Sequence, residues 1–143
     1  RIAVDDSLPE NGCMRYIPGS HKQRSVVAHE FVEASNVAIR QQVAQLDESL
    51  ARDDALYAGQ ISIHDVYLIH GSSENRSTKR RSDYAIRYMP ATSRYVRDPA
   101  FPANAYAAKT SQLMNYTGRP LWLLRGTDRA GNDFDIGHGR RAA

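Results

Sequence analysis

The stretch IHGSSENRSTKRR, residues 69–81, gathers the side chains best suited to chemistry in this sequence. His70 ends an apolar run, Ser72 follows in a small polar turn, and Arg76, Lys79, Arg80 and Arg81 form a basic cluster. Neutral imidazole is a good transition-metal ligand. On a strand, His70 shares a face with Leu68, Val66 and His64. Two readings of His70 stand side by side: a core-edge histidine satisfied by a backbone carbonyl, or a metal ligand. If residues 61–70 and 82–89 pair as a hairpin, Arg81 enters the return strand near the level of His70. Its planar fork would there suit a carboxylate beside a metal, in a bidentate way that lysine does not match. The plainer reading of the four cations is a solvated loop. A nucleic-acid patch is a third reading, and the cluster lacks the interleaved aromatics of a binding stripe.

These residues need strands to position them. ISIHDVYLIH, residues 61–70, is rich in β-branched and aromatic side chains and reads as the best strand. SDYAIRYM, residues 82–89, reads as its partner, ended by Pro90. RIAVDD is a strand end running into the turn SLPENG, and CMRYIP is a short strand stopped by Pro18. Within residues 36–52 the apolar period is loose, so only a helical turn around Asp47 to Ala51 is expected. Residues 91–120 read as irregular, PLWLLRG as a last strand candidate, and 137–143 as a frayed tail. Short strands joined by Gly, Pro and Asn turns suggest an all-β fold in one domain of 143 residues. On a straight strand, His64 would lie about 20 Å from His70, too far to share a metal. His64 is therefore read as a structural or substrate-side residue.

The composition bounds the partners. A net charge of +3 permits anionic ligands without demanding nucleic acid. Cys13 is the one cysteine, so no internal disulfide forms, and it reads as a small buried apolar side chain. No apolar run is long enough to cross a bilayer. Acids stand where a signal sequence would be apolar. Together these read as a cytoplasmic chain with neither nucleic acid nor membrane as partner.

NGCMRYIPGSHK, followed by AGQISIHDVYLIHGSSENRSTKRRSDYAIRYMP, resembles the phytanoyl-CoA dioxygenase family of non-haem Fe(II)/2-oxoglutarate oxygenases. LLRGTDRAGNDF is similar to the tail of some members. The resemblance implies a double-stranded β-helix, a jelly-roll variant, with Fe(II) and 2-oxoglutarate at its centre. It implies that His70 is the distal iron ligand. Arg81, eleven positions later, would hold the distal carboxylate of 2-oxoglutarate, and Ser72 would support the same cosubstrate. Asn11-Gly12-Cys13 and Pro18-Gly19-Ser20-His21 would shape the active-site wall. The implied reaction hydroxylates an unactivated C–H bond of a small molecule and yields succinate and CO₂.

One feature of the family's pattern is missing. Such sites take two histidines and a carboxylate, and the first two ligands come as a His-x-Asp pair. His21, His29, His64, His70 and His138 each lack an acid two residues on. In the family that pair lies upstream of the Asn-Gly-Cys segment, so the chain reads as the C-terminal part of the fold, without its N-terminal part. Two of three iron ligands would then come from elsewhere. The exposed sheet face would need cover, for which a homodimer is the expected arrangement. The alternative is a non-catalytic β module that keeps the anion pocket around Arg81 and binds a small carboxylate or a partner chain.

Overall fold

The structure, a computed structural model, describes residues 1–33, 40–110, 116–136 and 139–140. They divide into two compact units, one of residues 1–28 and 43–87, the other of 29–42 and 88–143. The described residues are mostly short strands and loops, consistent with an all-β class. The sheets are small and none closes.

The first unit is built on β2 (Met14–Tyr16). It pairs antiparallel with β5 (Arg52–Asp54) on one side and β6 (His70–Ser72) on the other. The register sets Tyr16 opposite both Arg52 and His70, and Met14 opposite both Asp54 and Ser72. Since directly opposed residues share a face, His70 and Ser72 stand on one side of this sheet with Met14, Tyr16 and Asp54. A second ladder joins β1 (Ile2–Ala3) to β7 (Asp83–Tyr84), and bridges tie Ile2 to Ile61 and Ser7 to Leu56. The core of this unit is small: Ala3, Cys13, Met14 and Leu56 are buried, with Ser7 and Asn11. Ile63 and Val66 are 90% and 84% exposed, so the apolar run before His70 packs little of its surface here.

The expected hairpin between 61–70 and 82–89 does not form. Both partners turn instead to N-terminal strands, β6 to β2 and β7 to β1. Nor is 61–70 one straight strand. Asp65 accepts a hydrogen bond from the Tyr67 amide through its carboxylate (2.9 Å), while its carbonyl accepts from the Leu68 amide (3.1 Å). This is an Asx turn, and it folds the chain back between His64 and His70. The helical turn expected near Asp47 is present over Glu48–Leu50, with the Asp47 carboxylate capping the Ser49 amide at 3.0 Å.

In the second unit, β3 (His29–Phe31) pairs with β4 (Gln41–Val43), and β8 (Asp135–Ile136) with β9 (Gly139–Arg140). The region 91–120, read as irregular, contains α1 (Pro102–Thr110). Its prolines pointed away from a helix, but Pro102 stands at the first helical position, where no amide partner is needed, and four alanines follow. Asn104 seats the helix by donating to the carbonyls of Val96 (2.9 Å) and Asp98 (2.8 Å). PLWLLRG forms no strand. Of the tail expected to fray, only Gly139–Arg140 are described, and they are paired as β9; residues 137–138 and 141–143 lie outside the described residues.

Gly12 shows how tightly the first unit is drawn together. Its φ of +75° is in the left-handed region, and a Cβ there would stand 2.5 Å from the Ser73 carbonyl oxygen. A Gly12→Ala change adds backbone strain to a direct clash, so it is expected to cost roughly 2 kcal/mol or more in urea unfolding. Gly71→Ala, where a Cβ meets nothing within 4 Å, is the control and is expected to change stability far less. Equal losses in the two variants would contradict the close approach at Gly12.

Candidate functional site

His70 is placed by the strand before it. The Ser20 hydroxyl accepts from the Ile69 amide (2.9 Å) and donates to the Ile17 carbonyl (2.9 Å), and the Ile17 amide donates to the Ile69 carbonyl (3.0 Å). Pro18-Gly19-Ser20 thus acts by holding the residue next to His70, with Gly19 at φ +79° making the turn. His70 Nδ1 lies 2.7 Å from the Leu68 carbonyl oxygen. A carbonyl only accepts, so Nδ1 carries the proton and Nε2 keeps its lone pair. That is the tautomer in which a ligating histidine is ordinarily held.

His64 is not 20 Å away. Its ring centroid lies 4.8 Å from that of His70, with an interplanar angle of 57°. The Asp65 turn brings the two imidazoles together where a straight strand would have parted them. Burial first, and then the neighbouring His70, push His64 below the ordinary histidine range. His64 Nδ1 is buried and has no hydrogen-bond partner among the described residues.

The loop from Ser72 to Arg81 is fixed from two sides. Within it, the Asn75 side chain accepts from the Ser77 amide (2.9 Å) and donates to the Lys79 carbonyl (2.7 Å). From below, Asn11, which is 1% exposed, accepts from the Leu8 amide (2.7 Å) and donates to the carbonyls of Asp6 (2.7 Å) and Arg80 (3.4 Å). Each basic residue of the loop meets an acid. Arg76 lies 3.9 Å from Glu74, Lys79 3.6 Å from Glu10, and Arg80 grips Asp5 through two contacts of 2.8 Å. The cluster that looks bare in the sequence is locally balanced in charge.

Arg81 donates from Nη1 to Asp83 Oδ2 at 3.0 Å. The same oxygen accepts from Arg1 Nη1 at 2.6 Å, and Arg1 Nε also reaches Asp54 Oδ2 at 3.3 Å. The Arg1 side chain is 7% exposed and that of Asp83 15%, so this is a largely buried ionic network. In such a network the cost of desolvation offsets much of the attraction, so it adds little net stability. Arg81 itself remains 26% exposed, and Asp83 is its one described partner. Cys13 is buried, and that burial, with the charge of Asp53, raises its thiol pKa; the thiol is a protonated packing group.

Among the described residues, no three His, Cys, Asp or Glu side chains come together to hold a metal. His70 fits one iron position through Nε2, and Arg81 fits a carboxylate. In the second unit a cleft of about 490 Å³ runs along residues 94–98 and 131–133, but Arg97 in its wall is taken up by the Thr117 and Arg119 carbonyls.

The sequence profile described as "Phytanoyl-CoA dioxygenase (PhyH)" matches residues 1–82, the segment that carries the Asn-Gly turn, β2, β6 and the loop to Arg81. The chain belongs to the phytanoyl-CoA dioxygenase family. A Caenorhabditis elegans protein named "Phytanoyl-CoA dioxygenase domain-containing protein 1 homolog" is 32% identical over 94 residues, covering 62% of this chain and 33% of its own length. A "Probable alpha-ketoglutarate-dependent hypophosphite dioxygenase" from Stutzerimonas stutzeri is 33% identical over 94 residues, covering 63% of this chain and 32% of its own length. The Arabidopsis thaliana "Phytanoyl-CoA dioxygenase" is 36% identical over 90 residues, covering 62% of this chain and 31% of its own length. The chain thus matches about a third of the length of these curated relatives. No solved structure matches. In this member of the phytanoyl-CoA dioxygenase family, sequence reasoning picked out His70, Ser72 and Arg81. It missed His64 as a neighbour of His70, and Asp83 and Arg1 as the groups that orient Arg81. The signals were Asp65 directly after His64 and an acid two residues past Arg81.

The Asp5–Arg80 pair gives a pH test of the loop's anchoring. The Arg80 guanidinium, through its hydrogen bonds, holds the Asp5 carboxyl below its ordinary value of 3.8. A lowered folded-state pKa means that the pair's contribution is present above the ordinary value and lost as pH falls through the lowered one. NMR titration is expected to show an Asp5 midpoint below 3.8 that returns to the ordinary value in Arg80→Gln. An unchanged midpoint in that variant would contradict the pairing.

Proposed function

We propose that this chain carries the cosubstrate-binding, C-terminal part of an Fe(II)/2-oxoglutarate-dependent dioxygenase with a double-stranded β-helix. The observation that carries the reading is a His70 whose Nδ1 is engaged by a backbone carbonyl, followed eleven residues on by an Arg81 set by a carboxylate. His70 presents Nε2 on the sheet face it shares with Ser72, and Arg81 is set by Asp83 at the end of the loop that follows. Family membership and the name of the hypophosphite dioxygenase relative support the same chemistry.

In this reading His70 holds one iron position through Nε2. Arg81 binds the distal carboxylate of 2-oxoglutarate, with Ser72 beside it. Bound iron and 2-oxoglutarate supply the oxidation of an unactivated C–H bond by O₂, with succinate and CO₂ as co-products. The chain's own part is positional. The Leu68 carbonyl fixes the His70 tautomer, and Ser20 fixes the strand that carries the ring. Asp83 holds one edge of the Arg81 fork, which reduces the freedom lost when a carboxylate binds. The remaining carboxylate and histidine come from a polypeptide that bears the His-x-Asp pair. A second reading, a non-catalytic module that binds a small carboxylate at Arg81, is favoured by the lack of a three-ligand cluster among the described residues.

Anaerobic titration calorimetry with 2-oxoglutarate, with and without Fe(II), separates the two. The oxygenase reading expects binding that Fe(II) strengthens and that Arg81→Ala abolishes, with Arg81→Lys intermediate, because lysine cannot form the bidentate pair. Binding that needs Arg81 but ignores Fe(II) would favour the module. Binding indifferent to Arg81→Ala would overturn both.

A further inference from the structure

We propose that His64 and His70 together form a two-imidazole site for a divalent late transition metal. Nothing in the family reading gives His64 this role, and the inference does not depend on the oxygenase chemistry. It begins with the contact between the rings. Two imidazoles on one metal, at metal–nitrogen lengths of about 2.0–2.1 Å and angles of about 90–109°, have centroids roughly 4.5–5.2 Å apart. The observed separation of 4.8 Å lies in that range, and the 57° tilt leaves the rings unstacked.

The second observation is the state of the nitrogens. His70 Nδ1 is engaged by the Leu68 carbonyl, which leaves Nε2 as its metal-binding atom. That carbonyl is the outer partner that metal-ligating histidines ordinarily have. His64 Nδ1 is buried without a hydrogen-bond partner among the described residues, a costly condition for a polar atom that coordination or a bound water would relieve. The Asp65 turn brings the two rings together, so part of the ordering needed for coordination is already present. Imidazole donors suit copper, nickel and zinc, and among divalent ions Cu(II) binds such donors most tightly. Water would fill the remaining positions.

The test is Cu(II) titration of the full chain, followed by calorimetry and by NMR of the histidine ring protons. One equivalent is expected to bind, with the His64 and His70 signals broadened before those of the other histidines. His64→Gln and His70→Gln, each checked for folding by circular dichroism, are each expected to weaken binding at least about tenfold, no less than the loss of an outer partner alone. Binding that survives His64→Gln, or early broadening at histidines outside the pair, would overturn the proposal while leaving the oxygenase reading intact. Failure of the wild-type chain to bind Cu(II) would also overturn it. The 2-oxoglutarate titrations with Arg81→Ala judge the oxygenase reading separately.

Discussion

The first unit depends on one buried side chain. Asn11 satisfies the Leu8 amide and spends its own amide on the Asp6 and Arg80 carbonyls, so a single side chain closes the N-terminal turn and holds the far end of the loop that begins at His70. Gly12 follows because the chain must pass against the Ser73 carbonyl in a left-handed conformation, which a side chain would obstruct. Cys13 then fills the core under the turn. The Asn-Gly-Cys segment meets the loop after His70 through the Arg80 and Ser73 carbonyls. It fixes the distance in the fold between the residue that carries the imidazole and the one that carries the guanidinium.

Electrostatics completes the same design. Arg81 is aimed by Asp83, and Asp83 is held in turn by Arg1, whose guanidinium also reaches Asp54 on β5. Breaking such a network at one member leaves a buried charge without its partner, which costs far more than the net worth of the pair. The outer cations of the loop have a lesser task. Arg80 and Lys79 tie the loop's surface to Asp5 and Glu10, where solvent screens the attraction.

Much of this could be read from the residues. The turn at SLPENG, the strand at CMRYIP, the helical turn beyond Asp47 and the burial of Cys13 all follow from local chemistry, and local chemistry decides them. The pairing of strands was not legible in the same way. Residues 61–70 have the composition of a long strand, yet one Asx turn at Asp65 outweighs their β propensity and brings His64 onto His70. The hairpin failed for a related reason: β6 and β7 find partners far away in the sequence, and no periodicity encodes which partner wins. In α1, four alanines and a proline at the first position prevail over the discouraging proline count of the region. The acids that neutralise the basic loop are Glu74, Asp83, Asp5 and Glu10; the first two lie beside their partners in the sequence, whereas Asp5 and Glu10 come from the distant N-terminal turn, where spacing gives no hint of contact.

Asn11 holds the far end of the His70–Arg81 segment through its bond to the Arg80 carbonyl. Native-state hydrogen exchange in Asn11→Ala tests it most directly. Faster exchange is expected in two places, at the amides of residues 8–13 and at those of the loop that includes Ser77 and Lys79, while the amides of α1 exchange as in the wild type. Acceleration confined to residues 8–13 would contradict it, and would make the turn a local feature with no hold on the site.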